Sequence, residues 1–307
     1  MNDKNEIALT RCPLCNSHSA KNYFYPPTSF NNKIFSYHQC GNCGCAYIFP
    51  FPDENDYRLM YGEDDHHYLK LLGENEMHIH RFDLPLYNHQ KYQLEFFNRY
   101  DYPKNAHSLL DVGCGSGFYM SWAKRAGIEA TGIEFNQNFA ALLRKKTGLD
   151  IWSFEEFENR FNGKKFDLVH FGHILEHLEN PGDFITTMRK WCHNETLIIV
   201  DGPLERNACF SRTIITLGSK IKKRKMNFYA PQHLSFTDAT SQLRFFENNR
   251  LETVHFTVAE QMFPFPDRAD YHSVRKLMLF LTGRMSVFFS RFNNNWGNIF
   301  HYAGKFR

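Results

Sequence analysis

Two sets of residues in this 307-residue chain have the types and spacing to do chemistry. The first is Ser108-Leu109-Leu110-Asp111-Val112-Gly113-Cys114-Gly115-Ser116-Gly117, where an apolar run of strand character reaches an acid and three glycines follow at every second position. Phe118 to Ala126 continues with helical character, so the stretch reads as strand, tight turn and helix. Glycines in such a turn admit positive φ and let a ligand approach the main chain without meeting a Cβ. The spacing is G-x-G-x-G, with Asp111 two residues ahead of the first glycine. A carboxylate there repels a pyrophosphate and suits a ligand that carries a cationic amine. Glu129 to Phe135 reads as the next strand, and Glu134 at its end can accept hydrogen bonds from both hydroxyls of a ribose.

The second set is sulfur. Four of the eight cysteines stand as Cys12-x-x-Cys15 and Cys40-x-x-Cys43. Each pair can deliver two thiolates from one turn to a tetrahedral ion, and four thiolates leave no open position, so the expectation is a structural zinc in a ribbon. Cys45 competes with Cys43 for the fourth place, and Cys43 is preferred because it completes the second C-x-x-C. The 24-residue spacer is slightly long for a ribbon, but loop-closure cost grows slowly with length.

The elements around these residues point to a fold. Strand, D-x-G-x-G-x-G turn, helix, strand and terminal acid together resemble the class I S-adenosylmethionine-dependent methyltransferases. That resemblance implies an α/β, Rossmann-like seven-stranded sheet over residues 106–307 and S-adenosylmethionine as cofactor. By the same resemblance Asp111, Gly113, Cys114, Gly115 and Gly117 hold the methionine end, Glu134 holds the ribose, and Glu155 lies against the adenine amino group. The layout of cysteine pairs, an aromatic strand with proline and a segment of tyrosines and acids resembles bacterial methyltransferases of the saccharide-modifying and secondary-metabolite kind.

Composition narrows the class further. Hydrophobic residues make up 42% and charged residues 22%, which marks a globular chain, and a net charge of +3 does not argue for general nucleic-acid binding. No secretory signal and no run of membrane-span length is visible, so a cytoplasmic protein is expected.

Along the chain, Phe49 to Tyr68 reads as a linker and Leu86 to Tyr100 as a helix packed beside the cleft, within a helical connector or lid over 53–105. Asp64, Asp65, His66 and His67 read as a solvated turn. Asn136 caps a helix closed by Gly148, and a short strand follows at Asp150 to Ser153. Phe166 to Gly172 has the unbroken apolar character of a central parallel strand.

It runs into His173-Ile174-Leu175-Glu176-His177, which matches an inverted zinc-peptidase motif but starts at a strand end where that motif needs a helix body. The methyltransferase resemblance implies that this segment lines the methyl-donor end, with His173 facing cofactor or acceptor and His177 a packing or loop-bracing residue. A helix over Gly182 to Cys192, a strand over Glu195 to Asp201, a basic cluster at Lys220, Lys222, Lys223, Arg224 and Lys225, and a helix capped at Thr237 or Asp238 come next.

His233 lies in Pro231-Gln232-His233-Leu234-Ser235-Phe236-Thr237, a segment similar to one where the resembled enzymes carry a histidine, often after a glutamate; here Gln232 precedes it. His233 and His173 are the candidate general bases. Leu251 to Val258 and Asn298 to Lys305 read as the sixth and seventh strands, the last antiparallel as the resemblance implies. Between them Val274 to Phe292 (helix within 271–292) is a lid or packing helix, a dimer surface or an interfacial membrane helix.

The expected organisation is a zinc ribbon over 1–52, the connector, and a methyltransferase domain carrying an inserted basic loop at 203–233. The expected activity is methyl transfer to a small-molecule acceptor, most plausibly a sugar or nucleotide-linked saccharide precursor, with the basic loop favouring an anionic one. The alternatives are a nucleic-acid-modifying methyltransferase that uses the ribbon as reader, and a non-catalytic zinc-ribbon binding protein on the same scaffold.

Overall fold

The computed structural model describes residues 11–61, 105–115, 117–210, 212–214, 217, 231–260, 269–290, 292–293 and 295–307. The first part of the chain folds as a small antiparallel sheet of β1 (Ala20–Asn22), β2 (Thr28–Phe30), β3 (Lys33–Cys40) and β4 (Ala46–Phe49), with β3 pairing to the other three. Phe35 and Tyr37, alternate residues of β3, pack with Tyr25 and Ile48 in its core. Glu54–Tyr61 is helical (α1), so the expected linker begins with an ordered helix. Its anchor is the buried Asp56 carboxylate, which accepts from the Lys33 ammonium at 2.6 Å and the Asn31 amide at 2.9 Å.

The large sheet starts at β5 (Ser108–Val112) and continues through α2 (Phe118–Arg125), β6 (Glu129–Ile133), α3 (Gln137–Thr147), β7 (Asp150–Trp152) and α4 (Phe154–Arg160). The chain then returns to the centre as β8 (Phe166–Gly172), α5 (Pro181–Met188) and β9 (Cys192–Pro203). β10 (Ser235–Phe236), α6 (Ala239–Asn248), β11 (Leu251–Ala259), α7 (Val274–Ser290) and β12 (Ile299–Phe306) complete the described elements. Strand order is β11-β12-β9-β8-β5-β6-β7. β5 to β9 run parallel, and β12 lies antiparallel between β9 and β11, as the resemblance implied.

Period-2 alternation assigns the faces. Leu110, Val112, Val169, Phe171, Ile198 and Val200 pack under side chains of α4, α5 and α6, among them Phe157, Ile185, Met188 and Phe246. Leu109, Leu168, Leu197 and Ile199 point the other way and meet Ala123 of α2. Asp111, His170 and Asp201 follow this second set at the carboxyl ends of their strands. The order reverses between β5 and β8, which opens a crevice at those ends.

Local signals set the boundaries. Asn136 caps α3 by accepting from Phe139 N–H at 2.9 Å, Gly148 ends it at φ +64°, and Asp238, the second of the two expected caps, opens α6. The helix expected to Cys192 stops at Met188. A short 3-10 turn over Arg189–Trp191 follows, and Cys192 already pairs with Phe166 of β8. α7 continues through Gly283, which is buried, and its apolar side chains Met278, Met285 and Phe288 are exposed. No helix among the described residues is long and apolar enough to cross a membrane.

One pairing crosses the expected boundary at residue 52. β10 adds to the edge of β4, with Ser235 opposite Tyr47 and Phe236 opposite Ala46. Leu234 and Phe236 sit in the core of the small sheet. The helix at 86–100, the Asp64–His67 cluster, most of the connector and the basic cluster at 220–225 lie outside the described residues.

Candidate active site

The glycine turn after β5 does three different jobs. Gly113 (φ +67°) lies where a Cβ would come within 2.6 Å of the Ile174 Cδ1 methyl, and Gly117 (φ +78°) where one would come within 2.7 Å of a Leu149 methyl, so positive φ and close packing together favour glycine at both. At Gly115 (φ +49°) a Cβ would meet nothing within 4 Å among the described residues, so with respect to them the turn is open at this glycine. The Cys114 side chain turns into the core with Met120, Phe139 and Leu143, which leaves only its main chain for a ligand.

Asp111 and Glu134 flank this turn at the ends of neighbouring strands, both buried. Burial raises the Glu134 pKa against N–H donors from Asn136, Gly115 and Phe135, the first at 3.0 Å. Burial also raises the Asp111 pKa, and His170 opposes it. Oδ2 of Asp111 has no hydrogen-bond partner among the described residues. A buried acceptor without a donor is costly, and a cationic amine would relieve it. Phe135, half-exposed directly after Glu134, lies nearly parallel to Phe154, with ring centroids 6.3 Å apart. Glu155 is exposed in the first turn of α4, and its neighbour Glu156 is committed to a capping box with Ser153.

The other side of the crevice collects imidazoles and carboxylates from separate loops. His173 directly follows β8, at φ +54°, and its N–H donates to Asp201 O at 2.9 Å, which keeps the chain zipped to β9 at the rim. Its half-exposed ring lies 3.5 Å from Glu176 Oε1 and 3.5 Å from Asp201 Oδ2. Burial works to lower its pKa, but these two carboxylates outweigh that and raise it to about 9. Residues 175–177 form a single 3-10 turn, so the H-x-x-E-H residues have no helix body to project from.

His177 braces the loop as expected: its Nδ1 lies 2.8 Å from Gln232 O and 3.0 Å from the Tyr61 hydroxyl. His233 meets it edge-on, with ring centroids 4.7 Å apart. Nδ1 of His233 lies 2.9 Å from Oε1 of the buried Glu205. A carboxylate only accepts, so Nδ1 carries the proton and Nε2 is left to take one. Burial tends to lower the His233 pKa, and the Glu205 carboxylate more than offsets it. Ligand atoms of Glu176, His177 and His233 lie within 4.8 Å of one another, a spacing one divalent ion can bridge.

His233 owes its place to its neighbour. Leu234 N–H donates to Glu176 O at 2.7 Å, and Leu234 O accepts from Ile48 N–H of β4 at 3.0 Å. The segment is therefore held between the 3-10 turn and the small sheet.

In that sheet the sulfurs of Cys12, Cys15, Cys40 and Cys43 lie within 4.8 Å of one another, the pairs Cys12–Cys43 and Cys15–Cys40 at 3.6 and 3.5 Å. A tetrahedral zinc with its usual bonds to sulfur needs separations of about 3.8 Å, so the donor set fits. Burial would raise the Cys40 pKa, but the N–H groups of Cys43 and Asn42 aimed at its sulfur bring it below the ordinary thiol value. Cys45 is fully buried with its sulfur 3.0 Å from Ala46 O, engaged as a thiol donor outside the four.

Sequence reading missed His170, Asp201, Glu205 and Phe135. Asp201 was read only as the last residue of a strand. The sequence held a partial signal for His170, its phase with Leu168 in Phe166 to Gly172; that it stands opposite Asp111 follows only from the strand register.

A family model described as a methyltransferase domain matches residues 87–256, more than half of the chain, and the chain belongs to that family. Among curated proteins it is similar to the ubiquinone biosynthesis O-methyltransferase of Caulobacter vibrioides, with 34% identity over 90 residues covering 27% of this chain and 35% of that protein. The chain thus aligns with about a third of that relative's length. Among solved structures it is similar to the [4+2]-cyclase SpnF, with a TM-score of 0.51 and 15% identity over 83% of this chain and 96% of that one. A SAM-dependent methyltransferase from Archaeoglobus fulgidus gives a TM-score of 0.46 and 16% identity over 70% of this chain and 94% of that one. A cyclase on the shared fold is reason to argue activity from the site.

Proposed function

We propose that the chain transfers a methyl group from S-adenosylmethionine to a small-molecule acceptor, a hydroxyl of a sugar or of a nucleotide-linked saccharide precursor. The observation that carries the donor half is the pair of buried carboxylates, Asp111 and Glu134, on either side of Gly115, where among the described residues a Cβ would meet nothing within 4 Å and one oxygen of Asp111 has no hydrogen-bond partner. When bound, S-adenosylmethionine supplies an electrophilic methyl group on a sulfonium. Asp111 would hold the amine of its methionine end and Glu134 its ribose hydroxyls, with Phe135, Phe154 and Glu155 available to its base.

On the acceptor side, His233 removes the proton of the attacking hydroxyl at Nε2, and Glu205 stabilises the imidazolium that forms. His173 lines the approach. The O-methyltransferase named for the Caulobacter relative supports an oxygen acceptor. The basic cluster at 220–225 supports an anionic one. Cys12, Cys15, Cys40 and Cys43 hold a structural zinc.

Calorimetric titration with S-adenosylmethionine tests the donor half, and absence of binding would favour the scaffold reading. A screen of nucleotide sugars with radiolabelled donor, read by product mass, tests the acceptor; methylation confined to RNA would overturn it. A second reading is favoured by the closeness of Glu176, His177 and His233: a divalent ion held there would polarise the acceptor hydroxyl. Loss of turnover on chelation, restored by a divalent ion at unchanged donor affinity, would select it.

A further inference from the structure

The donor and acceptor assignments use Asp111 but leave the buried groups that stand in one row with it, His170, Asp201 and His301, without a role. On the sheet face covered by α2, Asp111, His170, Asp201 and His301 stand in the neighbouring strands β5, β8, β9 and β12, all buried. His170 Nδ1 lies 2.7 Å from Asp111 Oδ1, and His170 Nε2 lies 3.0 Å from Asp201 Oδ1. A neutral imidazole has one N–H, and ionised carboxylates can only accept, so both contacts are satisfied together when His170 is an imidazolium. The three groups then carry two negative charges and one positive. The surplus negative charge lies beside Asp111 Oδ2, the buried oxygen with no hydrogen-bond partner among the described residues.

We propose that His170, held between Asp111 and Asp201, is a positioning residue that keeps Asp111 ionised and its free oxygen available to the cationic end of the methyl donor. The inference rests on the donor-site reading above and adds to it the group that makes Asp111 competent.

The surroundings agree in sign. Burial and the Asp201 charge both push the Asp111 pKa up, and His170 pulls it down. Burial pulls the His170 pKa down, and its two carboxylates raise it to about 9. Tyr119 of α2 covers the imidazole, ring centroids 4.0 Å apart. His301 of β12 faces Asp201, and burial lowers its pKa to about 4, so it stays neutral and leaves the cationic role to His170. His173 touches the far oxygen of Asp201, and Glu134 is the other acid that acts on Asp111.

The test is donor affinity against pH for the wild type, His170→Val and His170→Gln, with melting temperature as the control for folding. In His170→Val two buried carboxylates face each other without a cation, and Asp111 takes up a proton. Affinity at neutral pH then falls at least about tenfold, each unit of pKa being tenfold in the ionised fraction, and recovers as pH rises. His170→Gln keeps an N–H donor for Asp111 but no charge, so it shows the same recovery at high pH. Affinity lowered equally at every pH in His170→Val and restored in His170→Gln would make His170 a packing residue and overturn the proposal.

A second measurement needs no ligand. The ring-nitrogen NMR shifts of His170 in the free protein should report an imidazolium at neutral pH, and a neutral ring would overturn the proposal. If the wild type binds no donor at any pH although His170 is charged, it is the donor reading that fails, and His170's role toward a donor goes with it. Donor binding that is the same in all three proteins removes the His170 role alone.

Discussion

Asp111 and Glu134 sit on adjacent strands separated by one glycine turn and one helix, whereas His173, Glu205 and His233 reach the crevice from three loops far apart in the chain. The proposed donor edge is thus a local product of strand, turn and helix, stiffened by parallel pairing on both sides of β5. The proposed acceptor edge depends on β4 of the small sheet, which captures β10 and fixes the residue just before it. The difference teaches that the two halves should fail separately. Damage to the sheet ends should reach the donor, and damage to the cysteine module should reach the base.

The sharpest division is expected from His233→Ala. Loss of a general base should lower kcat by about a hundredfold or more while the donor Kd, measured by calorimetry, stays unchanged. Asp111→Ala and Glu134→Ala should do the reverse. Each removes a charged hydrogen-bond acceptor worth about 1.5–3 kcal/mol, so the donor Kd should rise by about ten- to a hundredfold in each. Wild-type affinity in both would break the comparison on the donor side.

Replacing Cys12 and Cys40 by serine should release bound zinc, read by atomic absorption, and lower kcat through the β4–β10 pairing without changing the donor Kd. Equal loss of both quantities would show that the two edges are not independent. The smallest expected effect is a pH shift. His233 acts as a base when neutral, and Glu205 raises its pKa, so kcat/KM should climb as pH rises through a value above the ordinary histidine one. Glu205→Gln removes that support and should move the rising limb to lower pH, with a lower plateau because the base is weaker. A limb that stays in place would mean that Glu205 does not face the base in solution.

The strand, the glycine turn and the acids at the two strand ends were legible in the sequence because each is a short-range feature. Asp111, the glycines and Glu134 follow from strand period, turn chemistry and strand ends, and Asn136 and Gly148 announced the next helix. What lay beyond reading was which way each side chain turns. Cys114 belongs to the loop by position yet packs inward, and Glu155 caps nothing because Glu156 occupies the capping place.

Histidines were the weakest point of the reading. A histidine in a strand looks like any half-polar residue until the neighbouring strands are known, and the partners of His170 come from β5 and β9.

The chain by itself determined the α/β class, the order of strand, turn and helix around Asp111, and the four sulfurs of the two C-x-x-C pairs, because hydrophobic period and residue spacing act within a few turns of backbone. Only the tertiary structure decided that His233 faces Glu205, that His170 bridges two acids, and that a two-residue strand from the large domain completes the small sheet. Those contacts join positions 28 to almost 190 residues apart, and no local pattern encodes which distant strand will arrive alongside; packing of the whole core selects it.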